Sequence, residues 1–143
     1  MGTLAERLVV GAKLPPFTRV TDFDVWNRFA AVNYEFVPIH MDDAAGREAG
    51  LPGAVGMGNL QWAYLHNLVR DWLGDDGRIL RMDLQFRAMN RRGQTVSAHG
   101  EVRGVTHGDD GLEVSLNVWT EAVDADTGKA QQLAVGHCVV LLH

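Results

Sequence analysis

The sequence predicts an α+β fold in which an antiparallel β-sheet wraps around one long central α-helix. Two patterns carry that prediction. The stretch MGNLQWAYLHNLVRDWL, residues 57–73, places Leu60, Tyr64, Leu65, Leu68, Val69, Trp72 and Leu73 over more than half the circumference of a helix turned by about 100° per residue. So broad an apolar arc belongs to a buried helix. From residue 79 onward the apolar period switches to two, the mark of strands with one wet face. A chain of 143 residues has the size of one core and shows no internal repeat or linker, so residues 1–143 read as a single domain.

The first elements are short. The opening MGTLAERLVVGAKLPPF has only a short apolar pair before charge and proline return, unlike a secretory signal. In TDFDVWNRFAAV, Val25, Trp26, Phe29 and Val32 recur at spacings of three and four behind Thr21, a residue suited to cap a short amphipathic helix. That helix must end near Asn33, because Val37 precedes a proline and is pushed toward extended backbone. A second short helix is predicted over Asp43–Ala49, opened by an aspartate cap and closed by Gly50. GLPGAVGMG then asks for flexible backbone before the long helix, whose polar stripe is Asn59, His66 and Arg70. Gln61 falls inside the apolar arc, where an unpartnered amide costs about 1–3 kcal/mol.

The strands come next. ILRMDLQFR alternates Leu80, Met82, Leu84 and Phe86 against Arg81, Asp83, Gln85 and Arg87. QTVSAHGEVRGV, GLEVSLNVWTEAV and AQQLAVGHCVVLL continue as antiparallel strands across the turns THGDDG and DADTGK. A curved sheet that buries a wide apolar helix is the economical packing of these parts, the shape called a hotdog.

Composition narrows the function. With 46% apolar and 22% charged residues the chain resembles a packed soluble protein. A formal charge of −5 without a basic block argues against nucleic-acid binding through phosphate contacts, and no apolar run approaches the length of a membrane span. The single cysteine, Cys138, lies in CVVLL, which excludes an internal disulfide and suits a buried thiol in a reduced, cytoplasmic setting. The histidines show no metal-ligand spacing, so no metal centre is expected. Small molecules and protein partners remain.

The residues that bear chemistry lie in NYEFVPIHMDD, residues 33–43, where Glu35 and His40 are brought around Pro38 among Tyr34, Phe36, Val37 and Ile39. Such a pair is either a hydrogen-bonded contact of an ordinary loop or an acid/base site. Without any resemblance the ordinary contact is the default, and the glycine turn that follows keeps the second reading open. Helix N-termini offer unsatisfied N–H groups, here near Gly56 and Met57, that attract negative charge. A carboxylate and an imidazole to move protons, with such donors to hold an enolate oxygen, suit the addition of water to an acyl compound or its loss.

Residues 10–105 resemble a MaoC-type hydratase/dehydratase domain, the group that includes R-specific enoyl-CoA hydratases. EFVPIH sets Glu35 at the family's catalytic Asp and His40 at its catalytic His. VGM sets Gly56 and Met57 at the oxyanion-hole turn, and LQFRAMNRRGQTVSAHGEV resembles the family's strand, turn, glycine and strand passage, with Gly93 at the glycine. The resemblance implies a hydratase or dehydratase acting on a trans-2-enoyl thioester of coenzyme A or an acyl carrier protein, with Glu35 and His40 as acid/base residues and the Gly56 amide as oxyanion donor. Tyr34, Val55, Met57 and Asn59 are then candidates to line the acyl group. No metal or redox cofactor is implied, because the thioester itself acidifies the α-position. A homodimer joined edge to edge between sheets, or a heteromer with another MaoC-like chain, is the implied assembly.

Three positions depart from the family pattern. Glu35 stands for Asp, Val37 for a usual Asn, and Val55 for the His that precedes Gly-Met. The connecting loop is also about two residues shorter than the pattern, and a displacement of about 1 Å costs on the order of 100-fold in rate. These departures define the rival expectation, a weakly catalytic subunit that shapes the acyl pocket of an active partner. A thioesterase on the same fold is the third.

Overall fold

The computed structural model describes Leu4 and residues 8–143. In chain order its elements are β1 (Phe17–Val20), α1 (Phe23–Asn33), a 3-10 turn at Pro38–His40, α2 (Asp43–Glu48), α3 (Gly58–Leu73), a second 3-10 turn at Gly74–Asp76, β2 (Gly77–Phe86), β3 (Thr95–Gly108), β4 (Gly111–Val123) and β5 (Ala130–Leu142). The strands form one antiparallel sheet in the order β1-β3-β4-β5-β2. Register shifts at Ile79/Arg81, Val102/Gly104 and Thr120/Glu121 are irregularities of the kind that increase twist and bend strands, and the sheet curls.

Inside the curl lies α3. Its Leu60, Leu65, Leu68, Val69 and Leu73 share one buried core with Val96, Val102, Val114, Leu116, Leu133, Cys138 and Val140 of the sheet. Each such side chain contributes about 1.5–3 kcal/mol through burial. Gly100 lets the helix in: a Cβ there would lie 3.0 Å from Leu14 and 3.4 Å from Leu68. This is the predicted hotdog architecture. Gln61 is 3% exposed and neither of its amide atoms has a partner; the Tyr64 hydroxyl is likewise buried and unpartnered.

Several local expectations are corrected. β1 was not foreseen, since four residues with three exposed carry no readable period. Asp22, not Thr21, caps α1 by accepting the Phe23 N–H at 2.7 Å; the Thr21 hydroxyl is turned inward and donates to the Gln94 carbonyl at 2.9 Å. Val32 is exposed, because Trp26 and Ala30 already fill the buried side of α1. On β2 the even-numbered side chains do not form one buried face. Leu80 and Phe86 are exposed while Met82 is buried, since the irregularity at Ile79/Arg81 breaks the phase on an edge strand. Around Glu35, the side chains of Tyr34, Phe36 and Val37 are exposed rather than packed. Among the described residues no helix is long and apolar enough to cross a membrane.

Candidate active site

The site is built by the chain between α1 and α3. Tyr34 ends α1 in the left-handed conformation, φ 56° and ψ 42°, which helix ends more often give to glycine or asparagine. The amides of Tyr34 and Glu35 both donate to the Ala30 carbonyl, so the chain reverses at once. Glu35 then meets the first turn of α3. Its Oε1 accepts from Asn59 Nδ2 at 3.1 Å, and its Oε2 accepts from Asn33 Nδ2 at 3.3 Å.

Val37 is extended, as a residue before proline must be, and Pro38 opens the 3-10 turn that carries His40. That turn grips residue 55 twice. The Val55 N–H donates to the Ile39 carbonyl at 3.0 Å, and His40 Nδ1 lies 2.7 Å from the Val55 carbonyl. A carbonyl only accepts, so Nδ1 carries the proton of the neutral ring and Nε2 keeps the lone pair. Among the described residues no hydrogen bond joins Glu35 to His40. Glu35 is tied to the first turn of α3 through Asn59, and His40 to Val55 in the turn just before it.

The glycine turn is close-packed where flexible backbone was expected. None of Gly53, Gly56 and Gly58 has a positive φ. A Cβ on Gly56 would stand 2.7 Å from Asn90 Oδ1 and 2.8 Å from Trp26 Nε1, one on Gly58 would stand 3.1 Å from the Phe86 ring, and one on Gly46 of α2 would run into the Gly53 carbonyl. These glycines are needed for space. The Gly56 amide, expected to face an oxyanion, donates instead to the Asn90 carbonyl at 2.8 Å. The next three amides, those of Met57, Gly58 and Asn59, have no acceptor among the described residues. They are the free donors of the helix start.

Of the other anticipated lining residues, Val55 and Met57 are buried, Asn59 is exposed and bound to Glu35, and Tyr34 is 87% exposed with its ring edge-on to Phe36. Sequence reasoning missed the supports. Asn90 Nδ2 donates to the Thr21 hydroxyl at 2.9 Å, the Arg91 N–H donates to Gln94 Oε1 at 2.7 Å, and Gln94 Nε2 donates to the Val123 carbonyl at 3.0 Å. That network fixes the carbonyl on which Gly56 rests. Its one legible signal was the turn MNRRG, where Gly93 sits at φ +80°.

Arg92 adds a charged tie. It donates to Asp22 at 2.8 Å and to Asp43 at 2.7 Å and lies over the Phe23 ring, joining α1, α2 and the 90–93 turn. The Arg92 hydrogen bond holds the Asp22 carboxyl below its ordinary range, with help from the Phe23 N–H. Asp43 is lowered chiefly by the Ala54 N–H, which it accepts at 2.9 Å, and further by Arg92. Arg81, Arg87 and Arg91 are engaged with Asp83, Gln85 and Asp126. Among the described residues no cluster of three or more His, Cys, Asp or Glu side chains is arranged to hold a metal.

A curled sheet around a buried helix, with a carboxylate and an imidazole tethered at that helix's start, defines a hotdog-fold protein with a candidate acid/base site in the loop before the central helix. Residues 13–123 match the profile of the MaoC-like domain, and the chain belongs to that family. No curated protein sequence matches it. Among solved structures it is similar to the (R)-hydratase from A. caviae involved in PHA biosynthesis, with a TM-score of 0.82 at 23% identity over 96% of this chain and 99% of that one. The ChsH1-ChsH2 complex from Mycobacterium tuberculosis gives 0.81 at 20% identity over 94% and 98%. The R-hydratase PhaJ1 from Pseudomonas aeruginosa gives 0.80 at 21% over 97% and 84%.

Proposed function

We propose that this chain is an acyl-thioester hydratase/dehydratase that interconverts a trans-2-enoyl thioester of coenzyme A or an acyl carrier protein with its 3-hydroxyacyl form. The observation that carries the reading is the pair of tethers around the entry to α3: Glu35 held by Asn59 on its first turn at 3.1 Å and His40 Nδ1 held at 2.7 Å by the Val55 carbonyl in the turn before it. The segment that carries both tethers leads into the helix start whose Met57, Gly58 and Asn59 amides are free.

In hydration, the Glu35 carboxylate takes a proton from water as the water oxygen bonds to C3. The C2–C3 π pair shifts toward the thioester oxygen, which accepts from the free amides of Met57, Gly58 or Asn59. The enolate then collapses, and C2 takes a proton from Nε2 of the doubly protonated His40. In dehydration, the neutral imidazole removes the C2 proton and protonated Glu35 gives its proton to the departing hydroxyl. Each acid/base group contributes about 10²–10⁴-fold.

Val37 and Val55, where the family carries Asn and His, favour a second reading in which the chain is the less active member of a heteromer. The membership of one structural neighbour in a ChsH1-ChsH2 complex supports such pairing. One experiment separates the two. Purified protein is offered a panel of enoyl thioesters of graded chain length, and loss of the conjugated absorbance is followed. Turnover by the isolated chain supports the first reading, and turnover only on addition of a second MaoC-like chain supports the other. Release of free thiol without hydration would overturn both.

A further inference from the structure

We propose that Asn59 is a positioning residue for Glu35, an amide clamp on the first turn of α3 that adapts a glutamate to a task the family gives to aspartate. The inference rests on the function proposed above and goes beyond it in assigning Asn59 a task other than lining the acyl group.

Glutamate has one more rotatable bond than aspartate, and fixing so flexible a side chain costs more rotamer freedom. A catalytic carboxylate therefore needs an external hold. The usual family neighbour two residues on, an Asn, is Val37 here and has no donor to offer. The donor comes from across the site. Asn59 Nδ2 reaches Glu35 Oε1 at 3.1 Å from 24 positions along the chain. A carboxylate only accepts, so the amide must present its NH₂ to Glu35.

Anchorage separates the two asparagines. Asn59 follows Gly58 on a 16-residue helix whose Leu60, Leu65 and Leu68 lie in the core, so its backbone is held by the whole domain. Asn33 ends α1 on an exposed turn and makes the longer contact, 3.3 Å, to the other oxygen. Asn59 sets where the carboxylate stands. Asn33 limits its rotation. Both asparagines also line an open groove of about 710 Å³ between α1 and α3, with Phe29, Trp62 and His66.

The test combines kinetics with stability. Asn59→Leu keeps the side-chain bulk and removes the donor; kcat is expected to fall about 10–100-fold with KM changed less than about twofold, the signature of a misplaced reacting group. Combined with Glu35→Gln it should be no slower than Glu35→Gln alone. Glu35→Asp, although it restores the family residue, should also slow turnover, because the shorter carboxylate withdraws from Asn59. Asn59→Asp should be inactive at neutral pH and partly recover on acidification, since a proton shared between the two carboxyls restores a donor. A raised KM at unchanged kcat would make Asn59 a substrate contact and overturn the proposal, as would an unchanged kcat. Denaturant midpoints of Glu35→Ala, Asn59→Ala and the double variant give a readout free of turnover: non-additive shifts support the clamp, and additive shifts overturn it. Should the wild type process no enoyl thioester, the proposed function falls while these midpoints still decide whether Asn59 holds Glu35.

Discussion

The helix–sheet unit and the strap of residues 31–41 are built on opposite terms. In the first, Leu65, Val69, Leu116, Leu133, Cys138 and Val140 are fully buried, and every strand has a partner. In the second, Val32, Tyr34, Phe36, Val37 and Met41 are exposed, Tyr34 to 87% and Phe36 to 54%, and the segment is held by the Glu35 side chain on Asn59, by two hydrogen bonds of the Pro38–His40 turn to Val55, and by two amides on the Ala30 carbonyl. The difference separates two jobs. Apolar burial in the wrapped helix holds the fold, while a few hydrogen bonds orient the proposed acid/base groups. A segment so held can be altered at small cost in stability.

That contrast breaks most visibly in stability. Leu65→Ala should lower unfolding free energy by about 2–5 kcal/mol in urea titration, whereas Phe36→Ala should change it by no more than about 0.5 kcal/mol. Similar losses in the two variants would mean that the strap belongs to the core. Gly56→Ala lies on the boundary: a methyl against Asn90 and Trp26 should cost about 1–3 kcal/mol and reduce turnover together, measured by urea midpoint and initial rate.

Smaller effects sharpen the comparison. Tyr34→Gly should raise stability by about 1 kcal/mol, because glycine adopts φ 56° without the Cβ conflict; a lower thermal midpoint would contradict this. Arg92→Met tests the charged tie through pH. Asp22 and Asp43 have lowered carboxyl pKa values in the fold, so their contribution is present above the ordinary value of 3.8 and is lost as pH falls through the folded values. Wild type should therefore exceed Arg92→Met in stability at about pH 6, and the gap should narrow below pH 3.8. A gap that widens in acid would refute the assignment.

Legibility followed the same division. The apolar arc of α3 and the period of two gave the architecture directly, because burial leaves its period in the order of residues. The phase of β2 did not, since one irregularity moves side chains between faces. In the site, PIH and the glycine turn pointed to His40 and to the start of α3, while the supports stayed hidden: Asn90 and Thr21 are 69 positions apart, and Arg92 and Asp43 are 49. Nor does sequence tell a glycine chosen for φ from one chosen for lack of a side chain. Gly50 is the first kind, at φ +85°, and Gly56 is the second.

The central claim is that Glu35 and His40 move the protons at the mouth of α3. It is tested most directly by the initial rate of enoyl-thioester hydration in His40→Ala and Glu35→Gln beside wild type, at equal folded fraction. Each variant should lose about 10²–10⁴-fold in kcat. Either variant running at the wild-type rate would contradict the account.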